Sequence, residues 1–172
     1  MQNHFELFGL KPGFALDGAA LETAYRDIQT RVHPDRFADA ADAERRASMQ
    51  WTTRVNEAYR TLKNPVARAR YLLELHGVDV GLETNTSMPR EFLLEQLELR
   101  EALEQAGTAK DAAALDGLRA GLRRGTRLLE EALAEAIDER RDYADAAGLV
   151  RKLMFLGKLD AEIDHAYEAL EA

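Results

Sequence analysis

A chain of 172 residues with 46% hydrophobic and 31% charged residues has the size and composition of a folded protein with one large or two small domains. Its net charge of −8 argues against a general nucleic-acid-binding protein, and its lack of cysteine excludes disulfides, thiolate zinc sites and cysteine nucleophiles. Neither a secretion signal nor an apolar run of membrane-spanning length is evident, so we expect a cytoplasmic protein without a membrane partner.

The N-terminal segment predicts a short helical turn, at NHFELFGL, and then a long amphipathic helix. Asp17 is a suitable N-cap for a helix that runs to about Val32. The apolar side chains of this helix recur at helical spacing, while Arg26 and Arg31 lie off the apolar stripe. Within TRVHPDRF the helix must end at His33, because the residue before a proline is pushed out of the helical region.

Five further helices are predicted, and a segment without strong periodicity divides them into two groups. They span roughly residues 42–63, 66–75, 89–106, 109–140 and 143–170, with Gly107-Thr108 as the break between the third and the fourth. Asn64-Pro65 ends the first of them, Gly77 closes the second, and Asp142 is a suitable N-cap for the last. Residues 77–88 carry two glycines and form the predicted linker. The predicted fold is therefore all-α, with a helical hairpin in residues 1–76 and an antiparallel three-helix bundle in residues 89–172.

The charge of the chain is divided along the same line. Residues 1–76 carry 11 basic and 10 acidic side chains, whereas residues 77–172 carry 12 basic and 21 acidic ones. We therefore expect the two halves to meet different partners.

The tripeptide His33-Pro34-Asp35 allows three interpretations. It is a helix stop in which Asp35 accepts backbone hydrogen bonds, a catalytic base with its orienting carboxylate, or half of a metal site. No nucleophile stands at a telling position, and the other histidines, His4, His76 and His165, lack ligand spacing. The residues by themselves favour the turn.

The surroundings of this turn resemble the J domain, with which co-chaperones activate DnaK-type chaperones. The resemblance covers roughly residues 3–76 and rests on HPDRF between two helices and on NEAYRTLKNP in the second helix. It implies a protein that is not itself an enzyme but stimulates the ATPase of its chaperone. Arg36 stands where lysine is common in that family. The implied chaperone contacts are His33, Pro34, Asp35, Arg26, Arg31 and Arg36.

The segment PREFLLEQLELREAL places more apolar side chains around a helix than one buried stripe requires. At 100° per residue, a core stripe is formed by Phe92, Leu99 and Leu103. A second patch with an acidic border, facing elsewhere, is formed by Leu93, Leu94, Leu97, Glu98 and Glu101. The spacing is equally compatible with burial of this patch under other helices and with an exposed partner site. Phe155 lies off the core stripe of the last helix, as a rim residue or a second piece of the same patch.

With FLLEQLELREAL and VRKLMFLGKL placed after a J domain, essentially the whole chain resembles the HscB family of iron–sulfur cluster co-chaperones. The resemblance implies a C-terminal domain that binds an IscU-type scaffold protein and a J domain that docks on the HscA-type member of the DnaK family. It implies no cofactor or metal held by this chain. A general J protein for unfolded clients is the alternative within the same class. The implied scaffold contacts are Leu93, Leu94, Leu97, Glu98, Glu101 and Phe155.

Overall fold

The computed structural model describes residues 2–32, 35, 41–81 and 88–171. Of residue 171 it describes only the backbone. The described residues are helical or irregular and contain no β-strand, which confirms the predicted all-α fold. None of the helices in these ranges combines the length and the apolar character needed to cross a membrane.

The chain folds into two compact units, and the boundary between them lies between residues 75 and 76. The first unit contains helices α1 (His4–Leu7), α2 (Gly18–Val32), α3 (Asp42–Lys63) and α4 (Pro65–Leu75). The second contains α5 (Arg90–Thr108), α6 (Ala112–Ala134), a π-helical segment (Glu135–Arg140) and α7 (Tyr143–Glu171).

The first unit is a helical hairpin of α2 and α3 that packs with α1 and α4. Asp17 caps α2 as predicted, since its Oδ1 accepts hydrogen bonds from the backbone N–H groups of Ala19 at 3.0 Å and Ala20 at 3.1 Å. Each large apolar side chain that the hairpin buries contributes about 1.5–3 kcal/mol. The core of this unit includes Phe5, Phe14, Leu21, Val55, Leu62, Leu72 and Leu73.

The C-terminal end of α2 is tied to α3 by two hydroxyl groups. The carbonyl oxygen of Val32 accepts hydrogen bonds from Ser48 Oγ at 2.8 Å and Thr52 Oγ1 at 3.2 Å. The last carbonyls of a helix lack partners within that helix, so these hydroxyls supply one. Apolar spacing predicts Ala47 at this interface, but Ala47 is exposed and Ser48, only 7% exposed, is buried instead.

The second unit is the predicted three-helix bundle, in which α5, α6 and α7 all pack on one another. Asp142 caps α7, as predicted, by accepting a hydrogen bond from the backbone N–H of Asp145 at 3.0 Å. The break predicted at Gly107-Thr108 is wrong, because α5 continues through both residues. The reversal follows at Lys110, which has a φ of 53°, and the backbone N–H of Asp111 closes it on the Ala106 carbonyl at 2.9 Å.

Residues 76–81 pack within the second unit. The His76 ring stacks on Tyr143 with 4.1 Å between ring centroids, and Arg151 Nη1 donates to the carbonyl of Val80 at 2.8 Å. The described residues on either side of the segment 82–87 thus belong to one helical bundle. The domain limits predicted from the sequence, with a linker at 77–88, remain a proposal.

Candidate partner-binding surfaces

The exposed side of α2 carries two of the arginines for which the sequence predicts a chaperone contact. Arg26 has a side chain that is 74% exposed, and Arg31 and Asp35 are exposed as well. The two arginines stand off the buried stripe because α2 turns only its apolar side towards α3. The other three predicted contacts, His33, Pro34 and Arg36, lie outside the described residues.

Arg26 is held by an acidic neighbour that the sequence reasoning missed. Its Nη2 lies 3.1 Å from Glu22 Oε1, one helical turn earlier, in a salt bridge on the surface of α2. The other carboxylate oxygen of Glu22 accepts a hydrogen bond from the hydroxyl of Tyr59 on α3. The i to i+4 spacing of glutamate and arginine was the available signal for the pair, but nothing in the sequence pointed to the tyrosine.

Tyr59 is itself fixed between the two helices. Its ring stacks on that of Tyr25 with 3.9 Å between centroids, and its hydroxyl accepts a hydrogen bond from Lys63 Nζ at 2.9 Å. The hydrogen bond from Tyr59 holds the pKa of the Glu22 carboxyl below its ordinary value, and the hydrogen bond to Tyr59 raises the pKa of Lys63. Four polar side chains therefore form a continuous series of contacts across the hairpin, from Lys63 through Tyr59 and Glu22 to Arg26.

The second predicted surface, on α5, is exposed. Leu93, Leu94 and Leu97 have exposed fractions of 44%, 49% and 54%, while Phe92 and Leu103 on the opposite side of the helix are buried. Glu98 and Glu101 are exposed beside them. We call Leu93, Leu94 and Leu97 the leucine face. Of the two interpretations that the sequence left open, burial of these three side chains under the other helices of the bundle is therefore excluded.

Phe155 is a rim residue of the bundle. Its half-buried ring meets Phe92 edge to face, with 6.0 Å between centroids and 85° between planes. Lys158 Nζ lies 5.6 Å from the centre of the Phe155 ring. Because Phe92 directly precedes Leu93, this contact puts Phe155 next to the first turn of α5, where the leucine face begins.

The sequence did not indicate one residue on the buried side of α5, Gln96, although its helical angle lies near that of Phe92.

The described residues offer no group of three or more histidine, aspartate or glutamate side chains able to hold a metal ion. His4 and His76 each stack on a tyrosine, and the Nδ1 of His165 lies 3.3 Å from Glu168 Oε2 on the same helix. Each of these three histidines thus contacts another side chain of the folded protein.

Two known domain families match the chain, one in each unit. The DnaJ domain matches residues 3–71, and the HSCB C-terminal oligomerisation domain matches residues 88–164. With the helical fold, these matches define a J-domain co-chaperone, which is not a class of catalytic enzyme.

Whole-chain relatives make the assignment more specific. The co-chaperone protein HscB homolog of Aromatoleum aromaticum is 55% identical over 170 residues, which are 99% of this chain and 96% of the relative. That of Burkholderia vietnamiensis is 52% identical over 169 residues, 98% of this chain and 96% of the relative. The chain belongs to the HscB family of co-chaperones, which confirms the family that the sequence motifs indicate.

Solved structures agree with this assignment. Chaperone HscB from Vibrio cholerae has a TM-score of 0.87 and 37% identity, with 98% of this chain and 99% of that chain covered. The human co-chaperone protein HscB has a TM-score of 0.90 and 29% identity, with 96% of this chain and 82% of that chain covered.

Proposed function

We propose that this protein is a cytoplasmic co-chaperone of iron–sulfur cluster biogenesis that brings an IscU-type scaffold protein to an HscA-type chaperone of the DnaK family. The observation that carries the proposal is the exposed leucine face on α5, in a chain that also has a J domain. An apolar surface of this kind with an acidic border suits a protein partner. The proposal assigns the chain no cofactor, metal, nucleic-acid or membrane partner.

The J domain supplies the contact with the chaperone. In this proposal His33, Pro34 and Asp35 trigger ATP hydrolysis on the chaperone, and the basic surface of Arg26, Arg31 and Arg36 meets an acidic face of that protein. Exposed charges accelerate encounter more than they add affinity, which suits a contact that must form and release in each cycle. The bond chemistry of ATP hydrolysis stays on the chaperone.

The bundle supplies the contact with the scaffold. Leu93, Leu94 and Leu97 offer apolar area, Phe155 extends it at the rim, and Glu98 and Glu101 select a partner with basic groups around an apolar patch. Because both contacts belong to one chain, binding of the scaffold raises its effective concentration at the chaperone. The coupling delivers the scaffold and promotes cluster transfer to acceptor proteins.

The variant His33→Gln tests the chaperone contact. We expect ATPase stimulation of an HscA-type chaperone to fall by about tenfold or more, as for a contact residue that dominates an interface. Scaffold affinity, measured by calorimetry with the same preparation, should stay unchanged, as should the helical circular dichroism. Full stimulation by the variant would contradict the proposed mechanism.

The variants Leu93→Ala and Leu97→Ala test the scaffold contact. Each should weaken binding of an IscU-type scaffold by about tenfold, because a buried leucine at an interface contributes on the order of 1.5 kcal/mol. The free energy of unfolding should change by less than about 0.5 kcal/mol, since both side chains are exposed in the free protein.

Leu128→Ala is the matched control, because Leu128 on α6 is also an exposed leucine, at 65%. It should leave scaffold binding unchanged. Phe155→Ala should lower both affinity and stability, since its ring packs on Phe92. If the α5 variants bind the scaffold like the parent protein, or if the parent protein binds a generic unfolded peptide as well as it binds the scaffold, a general J protein becomes the better account.

A further inference from the structure

Glu22 places a negative charge inside the basic surface of α2. Its carboxylate lies 3.1 Å from the Arg26 guanidinium, and its side chain is 39% exposed. Glu22 occupies one edge of the guanidinium, so a partner with acidic groups that approaches Arg26 either displaces Glu22 or binds beside a charge of its own sign. The ion pair is thus in direct competition with the chaperone contact.

The second hydrogen bond of Glu22 determines what such a displacement leaves behind. The Tyr59 hydroxyl donates to Glu22 Oε2, and that hydroxyl is in turn oriented by Lys63 at 2.9 Å and by the stacking of its ring on Tyr25. When Arg26 moves to an external carboxylate, Glu22 keeps Tyr59 as a partner and is not left without a hydrogen bond. The exchange of Arg26 between an internal and an external carboxylate therefore costs little.

We propose that Glu22 is an internal competitor for Arg26 that limits the strength of the contact between the J domain and its chaperone, and that the Tyr59 hydroxyl, as a second partner of Glu22, moderates this competition. The proposal rests on the proposed function, because it takes the surface of α2 as the chaperone contact. It adds Glu22 as a residue that weakens this contact and Tyr59 as the residue that keeps Glu22 hydrogen-bonded when Arg26 leaves it. Neither residue takes part in ATP hydrolysis on the chaperone.

The expected effect is modest, because exposed ion pairs contribute little and are screened by salt. The variant Glu22→Gln keeps an acceptor for Tyr59 but removes the charge. Association with an HscA-type chaperone, followed by surface plasmon resonance in the presence of ATP, should become about two- to fivefold faster at low ionic strength. The gain should shrink as salt is added.

Tyr59→Phe should act in the opposite direction. It keeps the ring that stacks on Tyr25 but deprives Glu22 of its second partner, so that the carboxylate depends on Arg26 alone. Association should become slower than in the parent protein, and this loss should vanish in the double variant with Glu22→Gln. Opposite signs for two changes that both remove a surface interaction exclude a merely structural effect.

Glu57→Gln is the matched charge control, since it removes the same charge from an exposed position on α3 where Glu57 acts on His4 of α1. A gain from Glu57→Gln as large as that from Glu22→Gln would overturn the proposal, as would an undiminished gain in an Arg26→Ala background. If Arg26→Ala slows association but Glu22→Gln does not accelerate it, only the role of Glu22 is wrong. If Arg26→Ala itself changes nothing, the chaperone contact on α2 is wrong as well.

Discussion

His4 joins the first helix of the chain to the last helix of its unit. Its ring stacks on Tyr71 of α4 at 4.1 Å, and its backbone N–H donates to the Tyr71 hydroxyl at 3.0 Å. Burial holds the pKa of His4 below its ordinary value of 6.5, against the opposing effect of Glu57. The folded protein therefore favours the neutral imidazole, and protonation favours the unfolded chain.

The pH dependence of stability follows from this sign. Well above pH 6.5 His4 is neutral in both states and contributes nothing. As the pH falls through 6.5 the unfolded state binds the proton first, so stability falls. We expect the free energy of unfolding, measured with denaturant, to decrease more between about pH 7 and pH 5.5 in the parent protein than in His4→Phe. Identical pH profiles for the parent and His4→Phe would contradict the assignment.

Single residues were the least predictable part of the molecule. The sequence placed Asp17 and Asp142 at helix starts correctly, because a capping side chain acts on its own helix. It did not reveal the hydrogen bonds of Ser48 and Tyr59, because these bonds reach another helix and depend on how α2 and α3 are packed. Local interactions are encoded within a few residues, while these contacts require the tertiary structure.

At the scale of elements, the attachment of the α2 C-terminus to α3 has a measurable consequence. Ser48→Ala removes the shorter of the two hydrogen bonds to the Val32 carbonyl and leaves that of Thr52. We expect a loss of about 1 kcal/mol in stability, as for a buried group that keeps one partner. Amide hydrogen exchange in the last turn of α2 should become faster.

The control for Ser48→Ala is Thr53→Ala. Thr53 is exposed, and its hydroxyl donates to the Met49 carbonyl of its own helix at 3.0 Å. Its removal should cost less than about 0.5 kcal/mol and leave exchange in α2 unchanged. Equal effects of the two variants would mean that α2 is not anchored through Ser48.

Helix α5 shows what periodicity can and cannot establish about an element. The 100° rotation per residue correctly separated Phe92 and Leu103 from the leucine face. Periodicity could not decide whether that face was buried, because burial depends on what other helices cover. It also gave the end of α5 two residues too early, since glycine is tolerated inside a helix at a modest cost.

At the scale of the whole molecule, the sequence sufficed for the all-α fold and for the family. Long helices with regular apolar spacing, and stops at Asn64-Pro65 and Gly77, set most of the helix boundaries. The two quoted motif pairs placed the chain in the HscB family, which the match of both domain families confirms. The partner roles of individual residues depend on complexes and remain proposals.

The leucine face also affects the colloidal behaviour of the protein when no partner is bound. Exposed apolar side chains invite non-specific sticking between copies, and surrounding charges of one sign oppose it. All five glutamates of α5 are exposed around this face, and the chain as a whole carries a net charge of −8. These are Glu91, Glu95, Glu98, Glu101 and Glu104. Near the isoelectric point, about 5.1, this mutual repulsion disappears, so mildly acidic conditions favour precipitation of the free protein.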